Sequence, residues 1–243
     1  NYDMLNAAAD APNAAGASED VQLTVESTYF DGMNLVCSVR AETDTMPDAM
    51  VLDTTVQLTI GGITYTDTIF EDGQTAINLM LLRDETDPTV YYGTLDFRLA
   101  EPVTVPEEIQ MKYTYFRGYT CGIYSKENIV GKLDAVSVNV PVIPQAELRK
   151  MTAVDYEGSA LKVQSVEYSP AGIGVTYQDP SAVLVLYDAD GNKIPRNENH
   201  FLMEGDWVTE FFEASDTSAI TIRMVDKNSE NLDVLDEVTV PLT

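Results

Sequence analysis

One stretch recurs in the chain and constrains its fold more than any other feature: a strand-like run, a turn that contains Gly, and a second strand-like run. It first occurs at residues 21–39, VQLTVESTYFDGMNLVCSV, and a looser copy follows at residues 161–177, LKVQSVEYSPAGIGVTY. The runs alternate apolar and polar residues, which is the pattern of strands with one buried face. The repeat therefore predicts two consecutive domains of similar plan, each opened by a β-hairpin.

The end of each predicted domain is a Val-rich run that stops near a Pro, LDAVSVNVPV at residues 133–142 and LDEVTVPL at residues 235–242. Pro141, Pro144 and the following residues 145–150 mark a domain boundary, because Pro cannot donate to a sheet ladder and the apolar alternation lapses there. We predict an all-β fold of two consecutive immunoglobulin-like antiparallel β-sandwich domains, at residues 21–143 and 144–243. A short N-terminal tether at residues 1–20, rich in Ala and Asn, precedes them.

The charge balance limits the partners of the chain. Its 243 residues include 40 acidic and 14 basic residues, for a formal net charge of -26. Such a charge repels phosphate backbones and anionic lipid headgroups, so binding to nucleic acid or to a membrane surface is disfavoured. The acids are spread between apolar strand positions instead of forming a block, which indicates a folded protein with an acidic surface.

The sequence contains no apolar run close to the roughly 18 residues that a membrane helix needs. It also lacks a signal peptide, and it begins at Asn1 instead of Met. We therefore expect that any membrane anchor preceded Asn1.

The two cysteines lie in the first predicted domain. Cys37 shares a strand face with Leu35 and Val39, which favours a buried thiol. A disulfide between Cys37 and Cys121 is the alternative, because an oxidising exterior would permit it.

Two acidic turns carry the residue types of calcium loops. Asp188, Asp190 and Asn192 alternate as calcium ligands do, but Lys193 and Asn199 stand where a calcium loop places Gly and Glu, which favours a plain hairpin turn. The cluster DETD at residues 84–87 is interpreted as a solvated loop. We predict no metal and no cofactor.

The candidate ligand-binding residues are three tyrosines of one aromatic strand: Tyr113, Tyr115 and Tyr119. Aromatic side chains on an exposed sheet face could stack on sugar rings or on a peptide. The same side chains could instead fill the sandwich core, and aromatic residues on both faces of the strand favour this interpretation.

Catalytic motifs are missing from the sequence. The single His, His200, lies in a polar segment, so no HExxH zinc site exists, and no GxSxG, Walker or Rossmann pattern occurs. Carboxylate pairs carry no information in a chain with so many acids. We predict that the protein is not an enzyme.

Three motifs give the chain a family resemblance: YFDGMNLVCSV in the first half, VQSVEYSPAGIGVTYQ in the second, and LVLYDADGNKIP after it. From about residue 21 onward, the chain resembles the tandem domains of unknown function that form the extracellular part of membrane-anchored, anti-sigma-factor-like proteins of Gram-positive bacteria. The two cysteines depart from that pattern, and the helical segment that usually follows the membrane span is reduced to residues 2–9.

The resemblance implies a non-catalytic sensory or regulatory ectodomain, located outside the cell and anchored through a segment before Asn1. It implies an unknown envelope ligand or protein partner and supplies no catalytic residues. We expect the chain itself to be a monomer. The alternative function is a cell-surface adhesive or carbohydrate-binding module that uses the Tyr-rich strand.

Overall fold

A computed structural model describes residues 14–65, 68–69, 75–99, 102–121, 125–143, 149–178, 183–226 and 233–242, without the side chains of 68–69, 75–76 and 197–204. The chain forms two compact units, which hold described residues 14–143 and 149–242 respectively. Apart from a single 3-10 turn at Lys126–Asn128, the regular elements of the described residues are antiparallel β-strands. This confirms the predicted all-β class. Nowhere in the described ranges is there a helix with the length and apolarity of a membrane span.

Among its described residues, the first unit has twelve strands that belong to one curled sheet. The hydrogen-bonded order along its main path is β1-β2-β3-β8-β7-β4-β10-β11, with β12 beside β9 and β9 beside β4. The strands are β1 (Ala14–Ala17), β2 (Gln22–Phe30), β3 (Asn34–Glu42), β4 (Val51–Ile60), β5 (Ile63–Tyr65), β6 (Thr68–Ile69), β7 (Thr75–Arg83), β8 (Val90–Arg98), β9 (Glu108–Tyr113), β10 (Phe116–Tyr119), β11 (Ile129–Leu133) and β12 (Val136–Pro141).

The sheet curls until its edge strand β1 lies against β12. The backbone of Gly16 comes so close to the carbonyl oxygen of Ser137 that a Cβ at this position would collide with it. This corrects the predicted tether at residues 1–20, because residues 14–17 pair with β2 and Ala14 is buried. The prediction failed because small residues carry no apolar alternation, yet only small residues allow so close an approach.

The core of the first unit lies inside the curled sheet. Apolar side chains that alternate along β2, β3, β4 and β9 meet there, as the two-residue periodicity of their sequences predicts. The largest of them are fully buried, among them Tyr91, Tyr113, Phe30 and Phe116.

The second unit is a sandwich of two antiparallel sheets, with strand orders β13-β14-β15-β19-β18 and β17-β16-β20-β21. Its core contains side chains of both sheets, such as Val175 and Tyr177 from the first and Leu186 and Ile222 from the second. The strands are β13 (Lys150–Glu157), β14 (Lys162–Ser169), β15 (Gly172–Gln178), β16 (Val183–Asp188), β17 (Lys193–Ile194), β18 (Arg196–Glu204), β19 (Trp207–Phe212), β20 (Ala219–Val225) and β21 (Val234–Pro241).

The repeated sequence forms the same strand pair in both units. Strands β2 and β3 pair antiparallel in the first unit, as β14 and β15 do in the second. The pairing register shifts once in each outgoing strand, between Val25 and Ser27 in β2 and between Val163 and Ser165 in β14, which is two residues earlier in the second copy of the repeat. Each returning strand is also paired on its other edge to a later strand, β8 or β19.

The turns of the two strand pairs depend on Gly with positive φ. A Cβ on Gly32 (φ 92°) would lie 2.5 Å from the carbonyl oxygen of Val103, and one on Gly172 (φ 154°) would lie 2.6 Å from that of Phe212. Only Gly combines this backbone conformation with so close a neighbour. Both turns are therefore fixed against another segment of their own unit.

Candidate functional site

The aromatic strand predicted from the sequence is interrupted in the middle. Strands β9 and β10 both pair with the same edge of β4, but Tyr113 pairs with Val56 whereas Arg117 pairs with Asp53, so the β9–β10 side has one extra residue. The backbone N–H of Thr114 donates to the carbonyl oxygen of Thr55 at 2.9 Å, which holds the two strands together at this point. Such a bulge redirects the side chains that follow it.

Tyr113, the first predicted ligand-binding residue, faces the core. Its side chain is fully buried, and its ring stacks on that of Phe116 with the centroids 6.0 Å apart. Burial raises the pKa of its hydroxyl well above the usual value. The prediction that Tyr113 contacts a ligand is therefore corrected: in an alternating strand its position coincides with the inward face.

Tyr119 lies on the outer face of β10 but is covered by its neighbours, with 4% of its surface exposed. Its hydroxyl accepts a hydrogen bond of 3.2 Å from Nη1 of Arg117, and its backbone carbonyl accepts one of 2.7 Å from the N–H of Met50. Tyr119 therefore packs beneath the outer surface of the sheet, and almost none of its own side chain is available to a ligand.

Tyr115, in the bulge, is the one predicted residue that keeps partial exposure. The guanidinium carbon of Arg117 lies 5.1 Å from its ring centroid, and Nζ of Lys132 lies 5.0 Å from it. Both distances are within the range of cation–π attraction. Its ring is thus engaged by two cations, which makes it a poor flat platform for a sugar.

The outer face of the first unit carries an exposed apolar strip that crosses four strands. Tyr92 on β8 pairs with Leu82 on β7, Leu82 pairs with Val51 on β4, and Val51 pairs with Tyr119 on β10. Directly paired residues point to the same sheet face, so these side chains form a row, and Met80 adjoins Leu82 on β7. We call these five residues the apolar strip.

Three side chains of the apolar strip are open to solvent: 47% of Met80, 55% of Leu82 and 42% of Tyr92 are exposed. Val51 and Tyr119, on β4 and β10 to one side of them, are covered and only 4% exposed. Large contiguous apolar surface on a soluble protein commonly marks an interaction site.

The charges beside the apolar strip differ between its two ends. At the β10–β11 end, Arg117 pairs with Asp53 on one side and with Lys132 on the other. Burial raises the pKa of the Asp53 carboxyl, and the Arg117 charge opposes that rise. At the β3–β8 end, Arg40 forms an ion pair with Glu42, and Asp96 is exposed on β8.

In the acidic turns considered as calcium loops, the carboxylates accept hydrogen bonds from residues of the same turn. Oδ1 of Asp188 accepts hydrogen bonds from the N–H groups of Asp190 (2.9 Å) and Asn192 (2.8 Å). These bonds lower the pKa of Asp188 below its usual value, led by the one from the Asn192 side chain. Asp84 and Asp87 likewise accept bonds from Thr86 and Thr89. Over the described ranges, no group of three His, Cys, Asp or Glu residues has the arrangement of a metal site.

The second unit contains a polar group that the sequence did not reveal. Glu210 on β19 is 5% exposed and lies on the same sheet face as the core residues Val208 and Phe212. Its Oε1 accepts a hydrogen bond of 3.0 Å from the hydroxyl of Tyr177 and lies 2.9 Å from Nη2 of Arg196. Within the described residues its Oε2 has no hydrogen-bond partner. Burial raises the pKa of Glu210, although the Arg196 charge opposes this.

The cysteines are free thiols. Cys37 is fully buried, and burial raises its pKa to about 12, which leaves it un-ionised and inert at neutral pH. Cys121 is partly exposed. The side chain of His200 lies outside the described residues.

Comparisons with known proteins support the fold and give no information on function. No family model matches the sequence. No protein matches in a search of curated sequences. Among solved structures, the chain is similar to the crystal structure of the conserved domain protein from Bacillus anthracis, with a TM-score of 0.54 and 12% sequence identity over 100% of this chain and 94% of that one. At this identity the likeness extends to the fold alone.

Proposed function

We propose that this chain is a non-catalytic extracellular sensory or regulatory ectodomain of a membrane-anchored, anti-sigma-factor-like protein. The proposal rests on the three motifs that carry the resemblance to that class of proteins. In this view the chain receives an envelope signal, as a ligand or a protein partner, and a segment before residue 1 transmits it.

The observation that carries the proposal is the turn in the first of those motifs. The carboxylate of Asp31, 3% exposed, accepts hydrogen bonds from the hydroxyl of Tyr29 (2.9 Å), the N–H of Met33 (2.9 Å), and both the N–H (2.7 Å) and Nδ2 (2.9 Å) of Asn34. The residues of this motif therefore stabilise the fold of the first unit. A class of proteins with the same motif is expected to have the same fold, which supports the resemblance.

The apolar strip supports a binding role over a catalytic one. It offers exposed Met, Leu and Tyr side chains, which are frequent in protein interfaces. The polar groups described above mainly hold turns and strands together, as Asp31 and Asp188 do.

A genetic experiment tests the proposal. In the source bacterium, codons 14–242 are deleted in frame, and transcripts that depend on the neighbouring sigma factor are measured with and without envelope stress. We expect transcription to become independent of stress. Unchanged regulation, or the lack of a sigma-factor gene beside this one, would overturn the proposal.

The location outside the cell has its own test. Intact cells are treated with an external protease, and this chain is detected by immunoblot beside a cytoplasmic control protein. Cleavage of this chain while the control stays intact is the expected result, and protection of both until the cells are lysed would contradict an extracellular location.

The alternative, a carbohydrate-binding module, retains one observation in its favour. Tyr115 is partly exposed between two cations, which suits an acidic sugar better than a neutral one. A glycan array probed with the wild type and with Tyr115→Ala tests it, and binding that the substitution abolishes would displace the regulatory proposal.

A further inference from the structure

We propose that the first unit binds a small anionic ligand through Arg117 on β10 and Lys132 on β11, which together hold one carboxylate or phosphate group of that ligand. The inference does not depend on the signalling role, and its test measures binding by the chain alone. A failure of either proposal would therefore leave the other standing.

Arg117 and Lys132 are direct cross-strand partners. Their neighbours Phe116 and Leu133 are buried, so the two cationic side chains project together from the outer face of the sheet. Like charges placed directly opposite each other destabilise a sheet. With 40 acidic and 14 basic residues in the chain, an acidic partner would be much the commoner by composition. This pair is therefore a local concentration of positive charge whose repulsion a bound anion would relieve.

Both cationic side chains are positioned by tyrosines. The guanidinium carbon of Arg117 lies 5.1 Å from the ring centroid of Tyr115, and Nζ of Lys132 lies 5.0 Å from it. Nη1 of Arg117 also donates to the hydroxyl of Tyr119 at 3.2 Å. Two long side chains that are held in this way lose less conformational entropy when a ligand binds. Since paired residues have their Cβ atoms only about 5 Å apart, one anionic group can contact both cations.

Most hydrogen-bond donors of the pair are unused in the part of the chain that the structure describes. A guanidinium carries several N–H donors, of which Arg117 uses Nη1, and the ammonium of Lys132 donates to no described residue. Neither cation forms an ion pair with a described carboxylate, not even Arg117 with Asp53, its partner on β4. Arg40 and Arg223, by contrast, are each paired with a glutamate. The donors of this cation pair are thus available to a ligand.

The class of ligand follows from the charges. The planar fork of an arginine matches a carboxylate or phosphate group, and a lysine adds a point charge beside it. The net charge of -26 repels a polyanion, whereas a compact ligand with one anionic group responds mainly to charges within the screening length of about 8 Å. A neutral sugar would gain little, because both cations already lie against the ring of Tyr115.

The experiment is a titration of the whole chain at physiological salt, followed by the NMR signals of its backbone amides. The probes are glucuronate, which carries a carboxylate, methyl phosphate, and glucose, which is neutral. We expect at least one anionic probe to shift the amides of β10 and β11 with a dissociation constant of the order of 1 mM, and glucose to shift none of them. The tighter anionic probe identifies the group that the site prefers. No shift with either anionic probe, or equal shifts with glucose, would overturn the proposal.

Lys132→Gln removes one cation of the pair, and Lys112→Gln is its matched control, because Lys112 is exposed on β9, which pairs with the same edge of β4. We expect Lys132→Gln to weaken binding at least about fivefold, Lys112→Gln to change it less than about twofold, and Lys132→Arg to retain it. The amide spectrum of each variant shows whether its fold is intact. Equal weakening by the two Gln substitutions would mean that the anion responds only to net charge, and it would overturn the site.

Discussion

The hydroxyl of Tyr156, on the edge strand of one sheet of the second unit, donates a hydrogen bond of 2.7 Å to Oδ1 of Asp236 on the edge strand of the other. Oδ2 of Asp236 accepts bonds from the N–H groups of Ala160 (2.9 Å) and Leu161 (3.1 Å), in the turn that leads into β14. One carboxylate thus closes one side of the sandwich. Gly158 is needed beside it, because a Cβ there would collide with Oδ2.

Replacement of this carboxylate should destabilise the second unit. In Asp236→Asn one oxygen still accepts, but whichever way the amide turns its Nδ2 faces at least one backbone N–H group, that of Glu237 or those of Ala160 and Leu161. We therefore expect a loss of about 1–2 kcal/mol, limited by the solvent exposure of the site. Trp207 is the single Trp of the chain and lies in the second unit, so its fluorescence during urea unfolding reports this unit. Asp206→Asn, in the exposed turn before β19, is the control and should have no effect.

The same carboxylate should make the second unit sensitive to acid. The hydrogen bonds that it accepts, first that from Ala160, hold the pKa of Asp236 far below its usual value. The stabilisation of the second unit by the ionised Asp236 carboxylate is therefore complete above the unfolded pKa of about 3.9. It is lost progressively as the pH falls from that value toward the lower folded pKa. The difference between the unfolding midpoints of the wild type and Asp236→Asn, measured from pH 7 to pH 3, should therefore become smaller toward the acid end. A constant difference over this range would contradict the assignment.

Glu210 should act in the opposite direction. Because burial raises its folded pKa, its charge costs stability at neutral pH, and that cost is relieved as the pH falls through the folded pKa toward the unfolded value of about 4.3. Glu210→Gln keeps the bond to Tyr177 without the charge and should unfold with equal or up to about 1 kcal/mol greater stability at pH 7. The measurement is again Trp207 fluorescence, with Glu157→Gln, whose side chain is 79% exposed, as the control. A large loss of stability in Glu210→Gln would show that the Arg196 ion pair outweighs burial.

The Asp31 turn should be the most costly position to change in the first unit. Asp31→Ala would leave the hydroxyl of Tyr29 and the amide of Asn34 buried without this acceptor, at a cost of about 2–4 kcal/mol. Hydrogen exchange of β2 and β3 amides measures this, since Trp207 is in the other unit. Asp134→Ala, at an exposed position, should leave the exchange unchanged, and equal effects of the two substitutions would contradict the role of Asp31.

Calcium should not stabilise the protein. The oxygens of Asp188 already accept bonds from Asp190 and Asn192, so binding would have to break the turn that presents them. We expect the same Tm with calcium added or chelated, measured by the fluorescence of Trp207. A rise in Tm with calcium would contradict this, because a ligand of the native state must stabilise it.

The sequence predicts those strands whose inward face is apolar. The strand pair β2–β3 and the turn at Gly61 and Gly62, where both residues have positive φ, follow from local patterns. Two strands were missed: β13, which has only a partly buried inward face with Val154 and Tyr156 against the core, and β18, in the polar segment around His200. Such strands form because a neighbouring strand supplies their backbone partners, which their own residues do not indicate.

The candidate site was harder to predict than the fold. Tyr113, Tyr115 and Tyr119 follow one another along the chain, but the bulge and the alternation of faces separate them. The apolar strip consists of residues from four strands, and nothing in the sequence states which of them are in register. The only local signal is the outward apolar pair Met80 and Leu82 within MLLR, where a run that is apolar on both faces suggests a second buried or contacted side.

The bulges in β2 and β14 bear on the ancestry of the two units. A bulge leaves one residue unpaired and bends the strand, and many positions along a pair of this length could accommodate one. When the two copies of the repeat are aligned at Val21 and Leu161, the bulges lie two residues apart, an even offset that keeps the same strand face toward the core and so favours descent of both pairs from a single ancestral module. The differing turns, Asp-Gly-Met-Asn in one and Ser-Pro-Ala-Gly in the other, then diverged after the two copies were joined in one gene, so exchanging these turns between the units should be tolerated better than moving the bulge by one residue.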